Sequence, residues 1–564
     1  MVTIVLLTLI LGFYGWTKAG FGIVDAIYRS IMALGASDIY ANPNQWCAVP
    51  EENSKCPIPD PNGQLALHVS RLTGLVFLFS AIFYATVKLL SETIARFRAE
   101  FRGRPLVAIG SSALANSAFL SSVASKKGRA WLGAHESLNE IRSVAVPWSE
   151  TQDRASEILQ VVKGAEHILV SGVDDASTMQ YTAAILSGIE DRAGKPVSIT
   201  SIFSSDAARE EASQLLDYEF KDPDSSARLL SYGRLAARAA LKAHPPYLLA
   251  RNLGQDSIHA LIIGFGRVGQ AVLRDIVVNA RTVDFGIPYV TVIDPDGGQK
   301  QDWLNTSIPE LDKVCHFKMI QGGLGGDHPS PASLPSDQPA LTAIYICVGR
   351  ASEALEALGA LRIWLRSQKK SLVNVFVRVE NAKLFTHESE EQTGLVHTFG
   401  TPEAVLQEAS FLSGDPDRLA KRFHDKYEER AIKTAREKEE PYTPTPWEKL
   451  IEPKKASNRA LIDHLPAKVF SAGLDLDTCR DEDGQLQLGC NLVLYEGEDA
   501  RIELERLEHD RFVAERRMAG WVAGPTDTEL RQNENLVDYE DLNDDIKAFD
   551  QSIIELTKEI LRDG

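Results

Sequence analysis

The chain has little cysteine: six residues in 564, none in a CxxC spacing that would hold a metal ion. Cys315, Cys347, Cys479 and Cys490 are scattered, and Cys347 sits in the apolar run AIYICVG, where a buried core thiol is expected. Cys47 and Cys56 lie close together between two apolar segments. A disulfide is allowed there if that stretch faces an oxidising compartment, and two free thiols are the other reading. A basic excess is also missing. Lys and Arg total 60 against 78 Asp and Glu, a net charge of −18. That excludes a general nucleic-acid binder, because phosphate contacts need clustered cations. The first apolar run has no basic residue ahead of it, so it does not read as a secretory signal peptide. A catalytic constellation is absent as well. Tyr84 and Lys88 have the YxxxK spacing of a dehydrogenase pair, but they lie inside an apolar run, and chance explains them better. The chain therefore reads as a binding protein and not as an enzyme.

Two uncharged or nearly uncharged apolar runs are present. Residues 2–17 (VTIVLLTLILGFYGWT), continued to Gly22, are about long enough to cross a hydrocarbon core of roughly 30 Å. The second run extends from Leu72 to Leu90, its helix starting near Leu65. Lys88, Arg96, Arg98, Arg102 and Arg104 follow or close the second run, so the positive-inside rule puts residues after about 92 in the cytoplasm and 23–64 outside. Between the runs, GFGIVDAIYRSIMALGASD begins as an amphipathic helix. This region resembles the two-helix potassium-channel pore. The resemblance places Gly35, Ala36, Ser37 and Asp38 at the filter, with Gly35 and Asp38 matching and Ala36 and Ser37 departing from the family's aromatic and second glycine. Filters of that family use backbone carbonyls in place of the ion's hydration shell, and their glycines permit backbone angles that Ser37 avoids. A ring of Asp38 carboxylates would still favour an inorganic cation. A helical hairpin without conduction is the other reading.

Residues 258–269 read IHALIIGFGRVG. An apolar strand enters Gly264, Gly266 and Gly269; Val268, Val272, Leu273 and Ile276 then recur at helical spacing; and YVTVID ends on Asp294. Strand, GxGxxG, helix, strand and acid in that order predict a Rossmann unit. The first glycine makes the turn, the second lets a pyrophosphate approach, the third lets helix and strand pack, and Asp294 accepts from ribose hydroxyls. The cofactor would be NAD or another adenine nucleotide; a fingerprint kept only for packing is the other reading. LTAIYICVG (341–349) and SLVNVFVRV (371–379) suit parallel strands covered on both faces. Upstream, RPLVAIGSSALA, HILVSGVDD and KPVSITSIF repeat the architecture without the later glycines, so a degenerate first unit is expected over 104–250 and the intact one over 257–400. A two-helix pore followed by tandem Rossmann units resembles channels with regulator-of-K⁺-conductance (RCK, or TrkA-N) domains. That resemblance implies a homotetramer in a lipid bilayer, gated by ligands on a cytoplasmic ring.

Residues 401–440 read as a helical connector closed by the proline-rich PYTPTP. Beyond it, PWEKLIEPKKASNRALIDHLPAKV and LEHDRFVAERRMAGWVAGP resemble the RyR domain, a small helical repeat, over 441–564. Asn458, Arg459, His464, Lys468, Glu508, His509, Arg511, Arg516 and Trp521 are then candidate ligand-site residues for a nucleotide-like molecule. Arg suits phosphate through its planar fork, and Trp521 could stack a base. Solvated helix faces with intrahelical salt bridges are the other reading. The acidic stretch from Asp527 to Asp550 reads as solvated surface. The expected architecture is thus a membrane α-helical hairpin with a re-entrant pore loop, two α/β Rossmann-like domains and a small, mainly helical RyR-like domain. The expected function is a ligand-gated, cation-channel-like protein of the cell membrane. A membrane-tethered NAD-dependent oxidoreductase and a non-conducting signalling scaffold are the alternatives.

Overall fold

The computed structural model describes residues 2–34, 61–89, 104–110, 129–133, 144–147, 165–189, 196–216, 225–324, 337–367, 373–380, 395–409, 417–475 and 489–563, with Leu114, Val162 and Cys479 singly. Two compact units emerge, Met1–Phe101 and Arg102–Gly564.

In the first unit, helices α1 (Val2–Lys18), α2 (Ile23–Leu34) and α3 (Pro61–Leu89) pack against one another. Among the described residues one helix, over Pro61–Thr86, is long and apolar enough to cross a membrane. Helix α1 is shorter than the span expected to Gly22. It stops at Lys18 because Gly20 takes φ +84°, while Gly20 N donates to Thr17 O and Phe21 N to Trp16 O, a Schellman stop. Small residues and hydroxyls make the crossings. A Cβ on Gly74 would stand 2.2 Å from the Ala33 carbonyl oxygen, so α2 and α3 touch backbone to side-chain-free backbone. Ser70 Oγ donates to Thr8 O at 2.7 Å, and Thr8 Oγ1 to Thr73 Oγ1 at 2.8 Å. Large apolar side chains face outward: Val24, Tyr28, Phe79 and Phe83 are all more than half exposed. Hydroxyls inside and phenylalanines outside is the distribution that suits hydrocarbon surroundings.

The second unit contains two six-stranded sheets. The first joins β1 (Arg104–Ile109), β2 (Arg129–Gly133), β3 (Val144–Pro147), β4 (Ala165–Val170), β5 (Ser198–Phe203) and β6 (Ser226–Ser231) in the order 3-2-1-4-5-6. The second joins β7 (His259–Ile263), β8 (Tyr289–Asp294), β9 (His316–Gln321), β10 (Ala343–Ile346), β11 (Asn374–Arg378) and β12 (Val396–Phe399) in the same relative order. Within both sheets every pairing is parallel. This is the doubly wound dinucleotide-binding topology, present twice. Strands β7 and β10 are buried at every position, which explains their unbroken apolar sequence.

Crossover helices include α4 (Asp175–Ile189) and α5 (Asp206–Leu215) in the first lobe. After β6, α6 (Tyr232–Ala243) and α7 (Pro246–Asn252) lead into the second lobe, which adds α8 (Arg267–Asn279), α9 (Gly297–Ser307) and α10 (Ala351–Ser367). Helix α10 covers one face of the second sheet through Leu358, Leu361, Trp364 and Leu365. The other face carries α8, and here the core does not stop at the lobe. Val272, Ile276 and Tyr345 belong to the same cluster as Phe470, Val513 and Met518 from the C-terminal helices.

Those helices are α12 (Arg418–Glu437), α13 (Glu452–Asp463), α14 (Leu465–Ser471), α15 (Glu498–Met518) and α16 (Asp544–Asp563), with the short α11 (Pro402–Glu408) before them. Over 401–440, α11 packs on α6, whereas α12 packs on α13 and α16 through Phe423, Leu461 and Leu556. One expectation is corrected: the acidic stretch is not mere surface, since Leu536, Tyr539, Leu542 and Asp550 are buried. Most of its carboxylates lie at the surface, while Asp550 and its sparse apolar residues are buried.

Candidate functional site

The glycine loop joins β7 to α8. Gly264 follows the strand at φ +86°, in the left-handed region where a side chain is strained. Gly266 caps α8 with no side-chain hydrogen bond of its own, and a Cβ there would meet nothing within 4 Å. Gly269 is the opposite case: its Cβ would fall 2.3 Å from the Gly264 carbonyl oxygen. The three glycines thus divide turn, open approach and tight packing between them. The unbonded amides of the first helical turn form the partial positive end of α8, beside the open space at Gly266. Phosphate oxygens fit such a place.

Asp294 ends β8 and is buried. Its Oδ2 accepts from Phe265 N at 2.6 Å and its Oδ1 from Asp296 N at 2.9 Å. The carboxylate therefore braces the glycine loop, a duty sequence reasoning did not assign it, and a ribose would have to share its remaining lone pairs. Phe265 is fully buried and rests 6.4 Å from Phe317 and 6.5 Å from the half-exposed Trp303. Arg267, at the start of α8, reaches the first lobe, where Nη1 donates to Ser204 Oγ and lies 3.9 Å from Asp175 Oδ2. In that lobe Gly110 occupies the place of Gly264, with φ +116° and Ser171 O only 2.0 Å from a would-be Cβ.

The C-terminal candidates do not form an open pocket. His464, Lys468, Glu508, His509 and Arg511 are buried and bond among themselves and to backbone. Lys468 Nζ sits 2.6 Å from Glu508 Oε2; Arg511 Nη2 donates to Glu508 Oε1 at 2.9 Å and Nη1 to Glu515 Oε2 at 2.5 Å. Burial would raise the Glu508 carboxyl, but Arg511 and Lys468 outweigh it and hold it at about 2. Burial lowers Lys468 against the pull of Glu508. Burial, with Lys468 beside it, keeps His464 well below the usual imidazole range, hence neutral, with Nε2 3.1 Å from the Arg281 carbonyl oxygen. His509 bonds Val537 O at 2.9 Å and lies 3.3 Å from Asp550. Burial works against its charge, and Asp550 overrides it, so the imidazole is raised. Arg459 is engaged by Asp417 through two hydrogen bonds of 2.8 Å, and Asn458 Nδ2 donates to Lys454 O. Each of these seven residues is thus engaged within the protein itself. Arg516 and Trp521 remain partly exposed, the guanidinium 5.3 Å from the indole centre and 5.4 Å from Phe512.

Among the described cysteines, Cys479 and Cys490 form a disulfide, and Cys315 and Cys347 are buried thiols. Burial pushes Cys315 up to about 12 and Cys347 upward likewise, so neither is a nucleophile at neutral pH. Gly35, Ala36, Ser37 and Asp38, with Cys47 and Cys56, lie outside the described residues.

No family model matches the chain, and no curated protein matches it. Among solved structures, the GsuK channel bound to ADP aligns at 13% identity and TM-score 0.34, over 73% of this chain and 96% of that one. The same channel bound to NAD aligns at 11% identity and TM-score 0.33, over 73% and 83%. The doubly wound assignment rests on the strand order of the two sheets and not on these alignments.

Proposed function

We propose that the chain is a nucleotide-sensing, channel-related membrane protein, in which an adenine nucleotide such as NAD or ADP binds at the glycine loop of the second lobe. The observation that carries this reading is the division of labour among Gly264, Gly266 and Gly269. An intact turn and tight packing keep the fold, while the space at Gly266 serves no packing purpose. A pyrophosphate over the amides of α8 would fill that space, and a base would lie toward Trp303. The N-terminal helices, with hydroxyls inside and apolar side chains outside, support a bilayer-embedded unit. On this reading four copies assemble, α2 and the segment after it line a path for an inorganic cation, and residues after about 92 are cytoplasmic. Calorimetric titration of the purified protein with NAD and with ADP tests the core of the proposal. Binding by the wild type and its loss in a folded Gly266→Ala variant are expected. Equal affinity of the two proteins, or no binding of either nucleotide, would overturn it.

A further inference from the structure

Helix α8 carries two oxygen atoms with nothing to bond. Asp275 Oδ2 and Asn279 Oδ1 are buried and have no hydrogen-bond partner. Four residues apart on one helix, they lie one turn above the other on the same face. Two acceptors cannot satisfy each other, and a buried acceptor left unmatched is costly. One added proton resolves both, because a carboxylic acid carries an O–H donor and the Asn279 amide oxygen stands ready to accept it.

The surroundings provide no better partner. Asp275 is 7% exposed and faces Arg234 and Arg238 from α6, Arg274 on its own helix and Asp463 at the end of α13. Each of these guanidinium groups has another carboxylate or carbonyl in reach. Arg238 holds Glu408 at 3.0 Å and Asp463 at 2.5 Å; Arg234 lies 3.7 Å from Asp206; Arg274 donates to the Met518 carbonyl oxygen at 3.5 Å and also senses Glu515 of α15. We propose that Asp275 is held as the neutral acid, hydrogen-bonded to Asn279, and that its ionisation is a pH-operated latch where the second lobe meets the C-terminal helices. On ionisation the proton passes to bulk water. The new carboxylate then competes for Arg274 with the Met518 carbonyl, which loosens the last turn of α15. Burial pushes the Asp275 carboxyl up to about 7, against the pull of the three arginines. The folded protein therefore binds more protons than the unfolded chain between the ordinary carboxylate range and about 7, so this group's contribution to stability falls as pH rises through that window.

Infrared difference spectroscopy on the full-length protein tests the latch. A protonated-carboxyl band present at about pH 6 should vanish with a midpoint near the value for Asp275, and Asp275→Asn should lack it. Asn279→Ala removes the acceptor and should move the midpoint down by about one pH unit, a readout that survives even if Asp275→Asn fails to fold. Hydrogen exchange over residues 515–520 should quicken above the midpoint in the wild type and not in Asp275→Asn. An absent band at about pH 6 would overturn the proposal. So would an unmoved midpoint in Asn279→Ala, or a wild-type band that Asp275→Asn retains. The opposite orientation of the Asn279 amide, donating to an ionised Asp275, predicts the first of these.

Discussion

At the scale of the residue, the glycine loop has room for a side chain at Gly266 and none at Gly269. Gly264 supplies the turn and Gly269 the close packing that the motif's spacing encodes, and Gly266 leaves open space. Gly269→Ala should accordingly fail where Gly266→Ala folds. Its Cβ meets backbone, not a yielding side chain, and the expected loss is about 1–3 kcal/mol or more, read as a lowered thermal midpoint. The buried charges were not readable. Glu508, Arg511 and Glu515 have intrahelical spacing that predicts a surface ladder equally well. Their burial depends on α14, whose Lys468 arrives from 40 residues away in sequence, and helical periodicity carries no such information. Arg511→Met should cost about 3–5 kcal/mol, because it leaves Glu508 and Glu515 buried with only Lys468 to answer them. The pH dependence has a definite sign. The carboxyl of Glu508 is depressed from 4.5 to about 2, so its stabilisation is complete above about 4.5 and disappears as pH falls toward 2. That amounts to about 3 kcal/mol of acid lability. Acid titration of stability should show it in the wild type and lose it in Glu508→Gln.

At the scale of the element, the deciding piece is α8. Its first turn belongs to the glycine loop, its buried face to the second sheet, and its far half to the C-terminal helices through Arg274, which reaches Met518 O; just past its end Arg281 reaches Asp510 O. Seven of the twelve parallel strands were visible as apolar runs, whereas β2, β3, β6, β9 and β12 were not, and the repeated architecture emerged even where the first lobe lacks its later glycines. Packing runs across the expected boundary at 440, and the reason is physical. Proline and charge mark where a chain turns, but they say nothing about whether the segments on either side share a core. The Phe470 ring lies 4.7 Å from that of Tyr247, tilted by 44°, with Arg251 4.6 Å above it, and a Cβ on Gly520 would come 2.7 Å from Ser307 O. Each large apolar side chain uncovered costs about 1.5–3 kcal/mol, so a chain truncated after residue 440 should be insoluble or aggregated instead of a folded lobe. Gel filtration of the truncated protein is the check; a monodisperse folded species would contradict the shared core.

For the whole molecule, the orientation drawn from Lys88, Arg96, Arg98, Arg102 and Arg104 makes a linked pair of predictions. A cysteine introduced at Asn62 should react with an impermeant reagent from outside intact cells, whereas one at Arg102 should not. The same orientation puts Cys479 and Cys490 in a reducing compartment, where disulfides rarely persist. Alkylation in living cells should therefore capture both as thiols, and air oxidation after lysis should close the bond seen in the structure. Capture as a disulfide in cells would argue that this half of the chain faces an oxidising space. The spacing of 11 residues between these two cysteines was as plain in the sequence as that between Cys47 and Cys56. Compartment alone allows a bridge between Cys47 and Cys56 and disfavours one on the expected cytoplasmic side. One feature of the fold also bears on how the protein is made. Arg274 and the Met518 carbonyl it bonds are 244 residues apart. At about 5–20 residues per second, roughly 10–50 seconds of translation separate the two. For the latter part of that interval, once β12 has been made, the second lobe waits on the ribosome with one flank of its core uncovered, an apolar surface that a chaperone would have to shield until the last helices emerge.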